Sequence, residues 1–357
     1  HLWGALVSVN LTNIDERITR EFGNQVTLQT VARVAGVSPS TVSRILNGTA
    51  NVSQGKRKLV EEAIRRLGFR PNQIARSLAG GRTMTIGVLT QYIDSPFYGA
   101  GIRGIEEVLS GAGYIPIFTS GFWDIRQERK RLQSLMERRV DGLIILTSRL
   151  HDEELLKLAS RLPVVVSGRG IKFPNLHSLN FDNAAAGRIA AEHLVDLGHR
   201  DLAVISGPHD HKDSDERLRG ICLAVEAKNY AINDSLIVAG DYNEHGGYRA
   251  MRQIISRNLS FSAIIALNDQ MAFGAMLALQ QAGLRVPDDV SVVGIDDVTH
   301  SAFTIPPLTS VSLPMLSVGR RAAAILLDVF SGYSLGEKCE ILEPTMTIRE
   351  STHRIVV

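Results

Sequence analysis

Two groups of side chains have types and spacings suited to chemistry. The first is Ser38, Pro39, Ser40, Thr41, Ser43 and Arg44. Ser38-Pro39 reads as an N-cap followed by proline at the first helical position. The short helix it opens, Pro39 to Leu46, turns Val42, Ile45 and Leu46 inward and leaves Ser40, Thr41, Ser43 and Arg44 facing out. Hydroxyls placed so can bond phosphates or base edges, and an arginine can grip guanine through two parallel hydrogen bonds. The second group follows apolar strand-like runs. Asp296 lies just beyond Val290–Ile295, Asn268 just after Ile264–Leu267, and Tyr242 after Gly240-Asp241. A carboxylate accepts two sugar hydroxyls, an amide bonds one, and an aromatic ring stacks on a sugar face, as Phe97 and Tyr98 also can. Polar groups converging beside aromatics are what a sugar pocket requires. Asp296 and Asn268 can equally serve as helix N-caps, and Phe97 as core.

The elements that position the first group form a small helical unit. Thr27 caps a helix with apolar positions Leu28, Val31, Ala32 and Ala35, and Gly36 ends it. With the helix that Asn47-Gly48 stops, this makes two short helices joined by a glycine-containing turn, a helix-turn-helix whose second helix enters the major groove. A third helix is capped by Ser53, carries Leu59, Val60, Ala63, Ile64 and Leu67 as its stripe, and stops at Gly68. Pro71 opens a short helical stretch to Leu78, followed by the joint Gly80-Gly81-Arg82. Such a segment is marginal as an isolated helix; Leu78 beside Arg76 suits a wedge inserted into the minor groove. Val26 to Arg82 holds ten basic and two acidic side chains, while the whole chain is only +2. A basic head on an acidic body is the footprint of a polyanion binder with a separate second domain.

From residue 83 onward, strand-like and helical runs alternate: Thr85–Thr90, a helix from Pro96 to about Gly113, Ile115–Phe118, a helix from about Ile125 to Arg139, Gly142–Leu146, Asp152–Ser160 and Val164–Ser167. A second set begins with Leu202–Ser206 after the helix Ala184–Leu197. This predicts parallel sheets in two α/β lobes, with a ligand at the carboxyl ends of the strands, in the cleft between them.

Several other chemistries are disfavoured. The two cysteines, Cys222 and Cys339, form no disulfide framework and no zinc spacing, and a reducing cytoplasm fits. No apolar run approaches the roughly 18 residues of a membrane span. Residues 1–10 lack the basic flank and cleavage site of a signal peptide. Gly99-Ala100-Gly101-Ile102-Arg103-Gly104 spells a dinucleotide fingerprint, with Asp124 downstream, and an NAD-dependent oxidoreductase is the alternative reading. That fingerprint must open a helix directly at a strand end, whereas here the glycines fall inside the helix. His209, His211 and Asp213 lack the further ligand pattern of a metal site, and no catalytic triad is recognisable, so no enzyme, cofactor or metal is expected.

The run Val31-Ala32, Ala35-Gly36-Val37-Ser38, Thr41-Val42-Ser43-Arg44, Asn47 and Pro71-Asn72…Ala75-Arg76-Ser77-Leu78 resembles the head of the lactose-repressor/galactose-repressor family of bacterial transcription regulators. The body continues the likeness through Glu192-His193-Leu194, Arg217-Leu218-Arg219-Gly220, Asn268-Asp269-Gln270-Met271-Ala272, Val286-Pro287-Asp288 and Gly294-Ile295-Asp296-Asp297, over about residues 26–350. Asp94-Ser95-Pro96-Phe97-Tyr98 leans toward the galactose-repressor branch. The resemblance implies an all-α helix-turn-helix head with a hinge helix, and a periplasmic-binding-protein-like body whose chain crosses between lobes three times. It implies a cytoplasmic homodimer that reads a palindromic operator and responds to a sugar-type effector, with induction favoured over corepression. Its base readers fall on Pro39, Ser40 and Arg44, with Pro39 departing from a polar reader; its minor-groove leucine falls on Leu78. Thr27, Ser38, Thr41, Ser43, Asn47, Asn72, Ala75 and Arg76 complete the expected DNA-binding set. Arg217 matches the family's cleft arginine, and Gln91, His211 and Asp213 join Phe97, Tyr98, Tyr242, Asn268 and Asp296 as effector candidates. The expected domains are an extension (1–25, artificial or disordered), the head (26–70), the hinge (71–82), a body (83–350) and a tail (351–357). Within the body, lobe 1 is about 83–181 and 313–342, and lobe 2 about 182–312 and 343–350. The tail is too short for a tetramerising leucine heptad.

Overall fold

The structure, a computed structural model, describes residues 26–46, 52–69, 81–208, 211–334 and 338–355. The chain divides into two compact units, the first ending at Thr83 and the second beginning at Met84.

The first unit contains α1 (Leu28–Ala35), α2 (Pro39–Leu46) and α3 (Gln54–Leu67). The Thr27 hydroxyl accepts from the Thr30 amide and the Thr30 hydroxyl from the Thr27 amide, both at 3.3 Å, which satisfies donors the helix start would otherwise leave open. Gly36, at φ 64°, turns the chain out of α1 while its N–H bonds the carbonyls of Ala32 and Arg33; glycine adopts this left-handed conformation without a Cβ penalty. The Ser38 hydroxyl then accepts from the Thr41 amide at 3.2 Å, capping α2. Val31, Ala32, Ala35, Val42, Val60, Ala63, Leu67 and Phe69 form the core, with Ile45, Leu46 and Ile64 partly buried around it. Two expectations are corrected. Leu59 is 52% exposed, because α3 buries the face of Val60, Ala63 and Leu67 and the residue before Val60 points about 100° away from it. Ser53 makes no side-chain cap bond to α3. Asn47, Asn72, Ala75, Arg76 and Leu78, most of the expected hinge and residues 1–25 lie outside the described residues.

The second unit holds two six-stranded sheets, of order β11-β5-β4-β3-β1-β2 and β12-β10-β9-β8-β6-β7. The first is built from β1 (Thr85–Thr90), β2 (Ile115–Ser120), β3 (Gly142–Leu146), β4 (Val164–Ser167), β5 (Leu176–Phe181) and β11 (Lys338–Leu342), and the second from β6 (Leu202–Ser206), β7 (Ile237–Ala239), β8 (Ala263–Ala266), β9 (Ser291–Asp296), β10 (Thr309–Ser312) and β12 (Thr345–Thr347). All pairings are parallel except β10 with β12. The chain leaves the first sheet after β5, returns after β10 and leaves again after β11. Helices α4 (Pro96–Gly111), α5 (Ile125–Glu137), α6 (Asp152–Ala159) and α11 (Met315–Phe330) accompany the first sheet. α7 (Asn183–Asp196), α8 (Lys212–Glu226), α9 (Glu244–Ser256) and α10 (Asp269–Gln281) accompany the second. Central strands such as Gly142–Leu146 are buried along their whole length, as parallel strands covered on both faces must be. Strands β5, β7, β10, β11 and β12 were not expected, since β7 is only three residues long and the others are broken by polar residues.

The glycines of the dinucleotide-like sequence lie inside α4, well after β1 ends. A Cβ on Gly104 would come within 2.3 Å of the Leu316 carbonyl oxygen, and one on Gly319 within 2.1 Å of the Gly101 carbonyl oxygen. These glycines let α4 and α11 cross with their backbones in contact.

Candidate functional site

A cavity of about 300 Å3 opens where the carboxyl ends of the two sheets face each other. Phe97 and Tyr98, from the first turn of α4, and Phe181, from the end of β5, form an aromatic wall on the first-sheet side; their rings pack at centroid distances of 5.3 and 6.3 Å from Phe97. The polar wall comes from the second sheet: Asp213 and Arg217 on α8, Asn268 after β8, and Asp296 at the end of β9.

Arg217 is almost completely buried. Its Nε donates to Asn183 Oδ1 at 2.9 Å and its Nη1 to the Leu267 carbonyl at 2.5 Å, and Nη1 stands 3.8 Å from Asp296 Oδ1. Burial disfavours its charge, but Asp296, Tyr242 and Asp213 outweigh this and raise its pKa. Asp296 has φ 117°, which swings its side chain off the strand line. Burial drives its carboxyl well above the usual range, with Arg217 opposing. Burial likewise raises Asp213, again against Arg217. Tyr98 and Tyr242 are pushed up by burial, so both stay protonated and can donate. The Tyr242 hydroxyl is buried without a well-formed hydrogen bond among the described residues. Asn268 does two things at once: its Oδ1 accepts from the Met271 amide at 3.0 Å as the N-cap of α10, and its Nδ2 donates to the Tyr242 carbonyl at 3.0 Å.

Seven of the nine effector candidates therefore line one cavity: Phe97, Tyr98, Asp213, Arg217, Tyr242, Asn268 and Asp296. Gln91 does not. It is fully buried, its Nε2 donates to Glu128 Oε1 and the Thr147 carbonyl at 3.0 Å each, and its Oε1 accepts from the Trp123 amide at 2.7 Å. With both ends of its amide engaged, it braces the wall from behind. His211 also stands behind the lining, its ring 4.4 Å from Trp123 and 5.7 Å from Tyr242. His209 lies outside the described residues, among which no group of three or more His, Cys, Asp or Glu is placed to hold a metal. Tyr92, Trp123, Thr147 and Phe181 were missed as lining residues. Each lies at or just beyond the carboxyl end of β1, β2, β3 or β5; the strand-end rule, applied to every expected strand, finds Tyr92, Trp123 and Thr147, whereas Phe181 ends β5, which no apolar run marks.

On the helical unit, Thr27, Ser38, Pro39, Ser40 and Arg44 are exposed and Thr41 and Ser43 half-buried. Ser38 Oγ lies 2.8 Å from Thr41 Oγ1 and 2.9 Å from Ser40 Oγ, a cluster of hydroxyls at the start of α2.

Residues 27–72 match the family described as bacterial regulatory proteins, lacI family, and residues 191–352 match the periplasmic binding protein-like domain. The chain is 35% identical to the ribose operon repressor of Escherichia coli (strain K12), over 91% of its own length and 99% of the relative's. It is 31% identical to the HTH-type transcriptional regulator GalR of the same organism, over 91% and 95%. It also superimposes on a crystal structure of the Lac repressor dimer bound to operator and the anti-inducer ONPF, with TM-score 0.82, 29% identity and coverage of 92% of this chain and all of that one. No described helix is long and apolar enough to cross a membrane. A helix-turn-helix unit, a two-sheet body with an effector-sized cleft and near full-length similarity to named repressors place this chain in the LacI family of bacterial transcription regulators.

Proposed function

We propose that the protein is a cytoplasmic, homodimeric repressor, and not an enzyme, whose affinity for a palindromic operator falls when an uncharged sugar enters the cleft. The observation that carries this is the buried set of Arg217, Asp213, Asn268 and Asp296 facing Phe97, Tyr98 and Phe181 across one cavity. Polar edges meet polar groups and ring faces meet aromatics. The charge of the cleft disfavours a phosphorylated sugar: Asp94, Asp213, Asp241, Glu244 and Asp296 line it against Arg217, with Arg249 at 2.7 Å from Asp241 and Arg169 and Lys212 acting on Asp213. An incoming phosphate would meet like charge in a poorly solvated site.

DNA binding is assigned to the head, with Arg44, Ser40 and Pro39 toward base edges and Thr27, Ser38, Thr41 and Ser43 toward phosphates. Asn47, Asn72, Ala75, Arg76 and Leu78 complete the contact. A dimer places two heads on two half-sites. Release by effector requires a differential affinity of a few kcal/mol for one lobe arrangement. The test is fluorescence anisotropy on an operator selected from random duplexes, with and without neutral sugars and their phosphates. Dissociation by a neutral sugar is expected. Tighter operator binding would reverse the sign, and dissociation by sugar phosphates alone would refute the charge argument.

A further inference from the structure

The cleft has more aromatic and polar wall than one sugar ring can use. A ring has two faces, and Phe97, Tyr98, Phe181 and Tyr242 already supply them beside the buried polar set. The lining nevertheless also holds Tyr92, Trp123, Asp94, Asn243 and Gln270, of which Tyr92 and Asp94 are exposed. Tyr92 is 41% exposed and stands edge-on to Phe122, itself 49% exposed, at 5.8 Å.

The backbone that presents this shelf is unusual. Phe122 and Trp123 are consecutive and both left-handed, at φ 56° and 54°, a conformation that bulky side chains rarely adopt. It is held by Gly121 N–H to the Thr90 carbonyl at 2.8 Å, Phe122 N–H to the Gln91 carbonyl at 3.1 Å, and Trp123 N–H to Gln91 Oε1 at 2.7 Å. Behind it, the buried carboxylate of Glu128 accepts from Gln91, from Ser148 Oγ at 2.5 Å and from the Arg149 amide. The turn sends Phe122 out beneath Tyr92 and Trp123 into the cleft against His211. The Ser95 hydroxyl donates to Gln270 Oε1 at 3.2 Å across the same cavity, so both sheets contribute to it.

We infer that Tyr92 and Trp123, buttressed by Phe122, form a second carbohydrate-ring subsite at the mouth of the cleft, so that the effector is a disaccharide or longer glycoside. The inner ring is held by Arg217 and the carboxylates; the outer ring stacks on the shelf, with its hydroxyls toward Asp94, Asn243 and Gln270. This rests on the sugar reading above.

The experiment is calorimetric titration of the full-length protein with glucose, galactose and ribose, and with cellobiose, maltose and lactose. In parallel, fluorescence is followed in a Trp3→Phe variant, which leaves Trp123 as the remaining tryptophan. A disaccharide is expected to bind at least about tenfold more tightly than its component monosaccharides and to perturb Trp123 emission. Tyr92→Ala is expected to lower the disaccharide-to-monosaccharide affinity ratio about tenfold, and Tyr92→Phe to restore it. A monosaccharide that matches its disaccharides overturns the second subsite alone, as does a ratio unchanged by Tyr92→Ala or a variant that weakens dimerisation with the ratio intact. Failure of every carbohydrate to bind overturns the sugar reading itself.

Discussion

Arg217 and Asp296 stand 3.8 Å apart on the buried polar wall of the cleft, too far for a good hydrogen bond. Arg217 spends its Nε and Nη1 on Asn183 and the Leu267 carbonyl, and no side-chain hydrogen bond from a described residue is assigned to the Asp296 carboxylate. The pair is neutralised but not satisfied, which leaves it open to the hydroxyls of a ligand.

Asp296→Asn is therefore expected to weaken the effector by about 1.5–3 kcal/mol, the worth of a hydrogen bond to a charged group, with operator affinity preserved. Calorimetry with the effector and anisotropy with the operator read the two separately. Unchanged effector affinity would remove Asp296 from the site.

Replacing Arg217 alone has a different signature. Arg217→Met leaves Asp296 buried without its cation and is expected to cost about 3–5 kcal/mol of folding stability. The double variant with Asp296→Asn is expected to recover part of that loss. A urea denaturation cycle measures the coupling, and simple additivity of the two single variants would show that the charges do not act as a pair.

In the head, Arg44→Ala is expected to cost about 1–3 kcal/mol in operator affinity and to relax preference at one base pair per half-site. Binding selections with the variant check this. Equal weakening for all sequences would make Arg44 a phosphate contact.

The crossing of α4 and α11 depends on missing Cβ atoms. Gly104→Ala places a methyl within 2.3 Å of the Leu316 carbonyl oxygen, so the helices must separate. A loss of about 1–3 kcal/mol is expected, read as a lowered thermal midpoint. Gly99→Ala, five residues earlier and facing open space, is expected to be tolerated.

Asp269 supplies a pH dependence. Its buried carboxyl accepts from Ser301 Oγ, Ser310 Oγ and the Val298 amide at 2.6, 2.5 and 2.9 Å. Burial pushes its pKa up to about 7 against these bonds, with Asp297 adding to the rise. The folded state then holds a proton that the unfolded chain releases near pH 4, so this group's stabilisation is full below about pH 4 and is lost as pH rises through about 7. The loss amounts to up to about 4 kcal/mol. Asp269→Asn is expected to flatten that slope in unfolding free energies measured between pH 5 and 8. A wild-type slope of the opposite sign would refute it.

Local chemistry made much of this protein legible in its sequence. Thr27, Gly36 and Ser38-Pro39 punctuate the head because caps and left-handed turns act over three or four residues. The apolar runs Gly142–Leu146, Val164–Ser167 and Leu202–Ser206 mark central parallel strands because burial on both faces demands unbroken hydrophobicity. Asp296 and Asn268 were visible as polar residues after such runs, and Arg217 through family likeness. What only the tertiary structure decided depends on pairings far apart in the chain. Edge strands such as β11 and β12 carry no continuous apolar run, because one side of their ladder is open and their faces are half-covered. Gln91 has the type and position of a ligand residue, yet Glu128 and the Thr147 carbonyl, 37 and 56 residues away, take its amide and turn it into a brace. Leu59 fits a helical stripe by spacing but faces out, since the width of a buried stripe is set by what packs against it. The aromatic lining follows the same logic: Tyr92 and Trp123 line one cavity because β1 and β2 are adjacent in the sheet, and sheet order is a property of the folded chain.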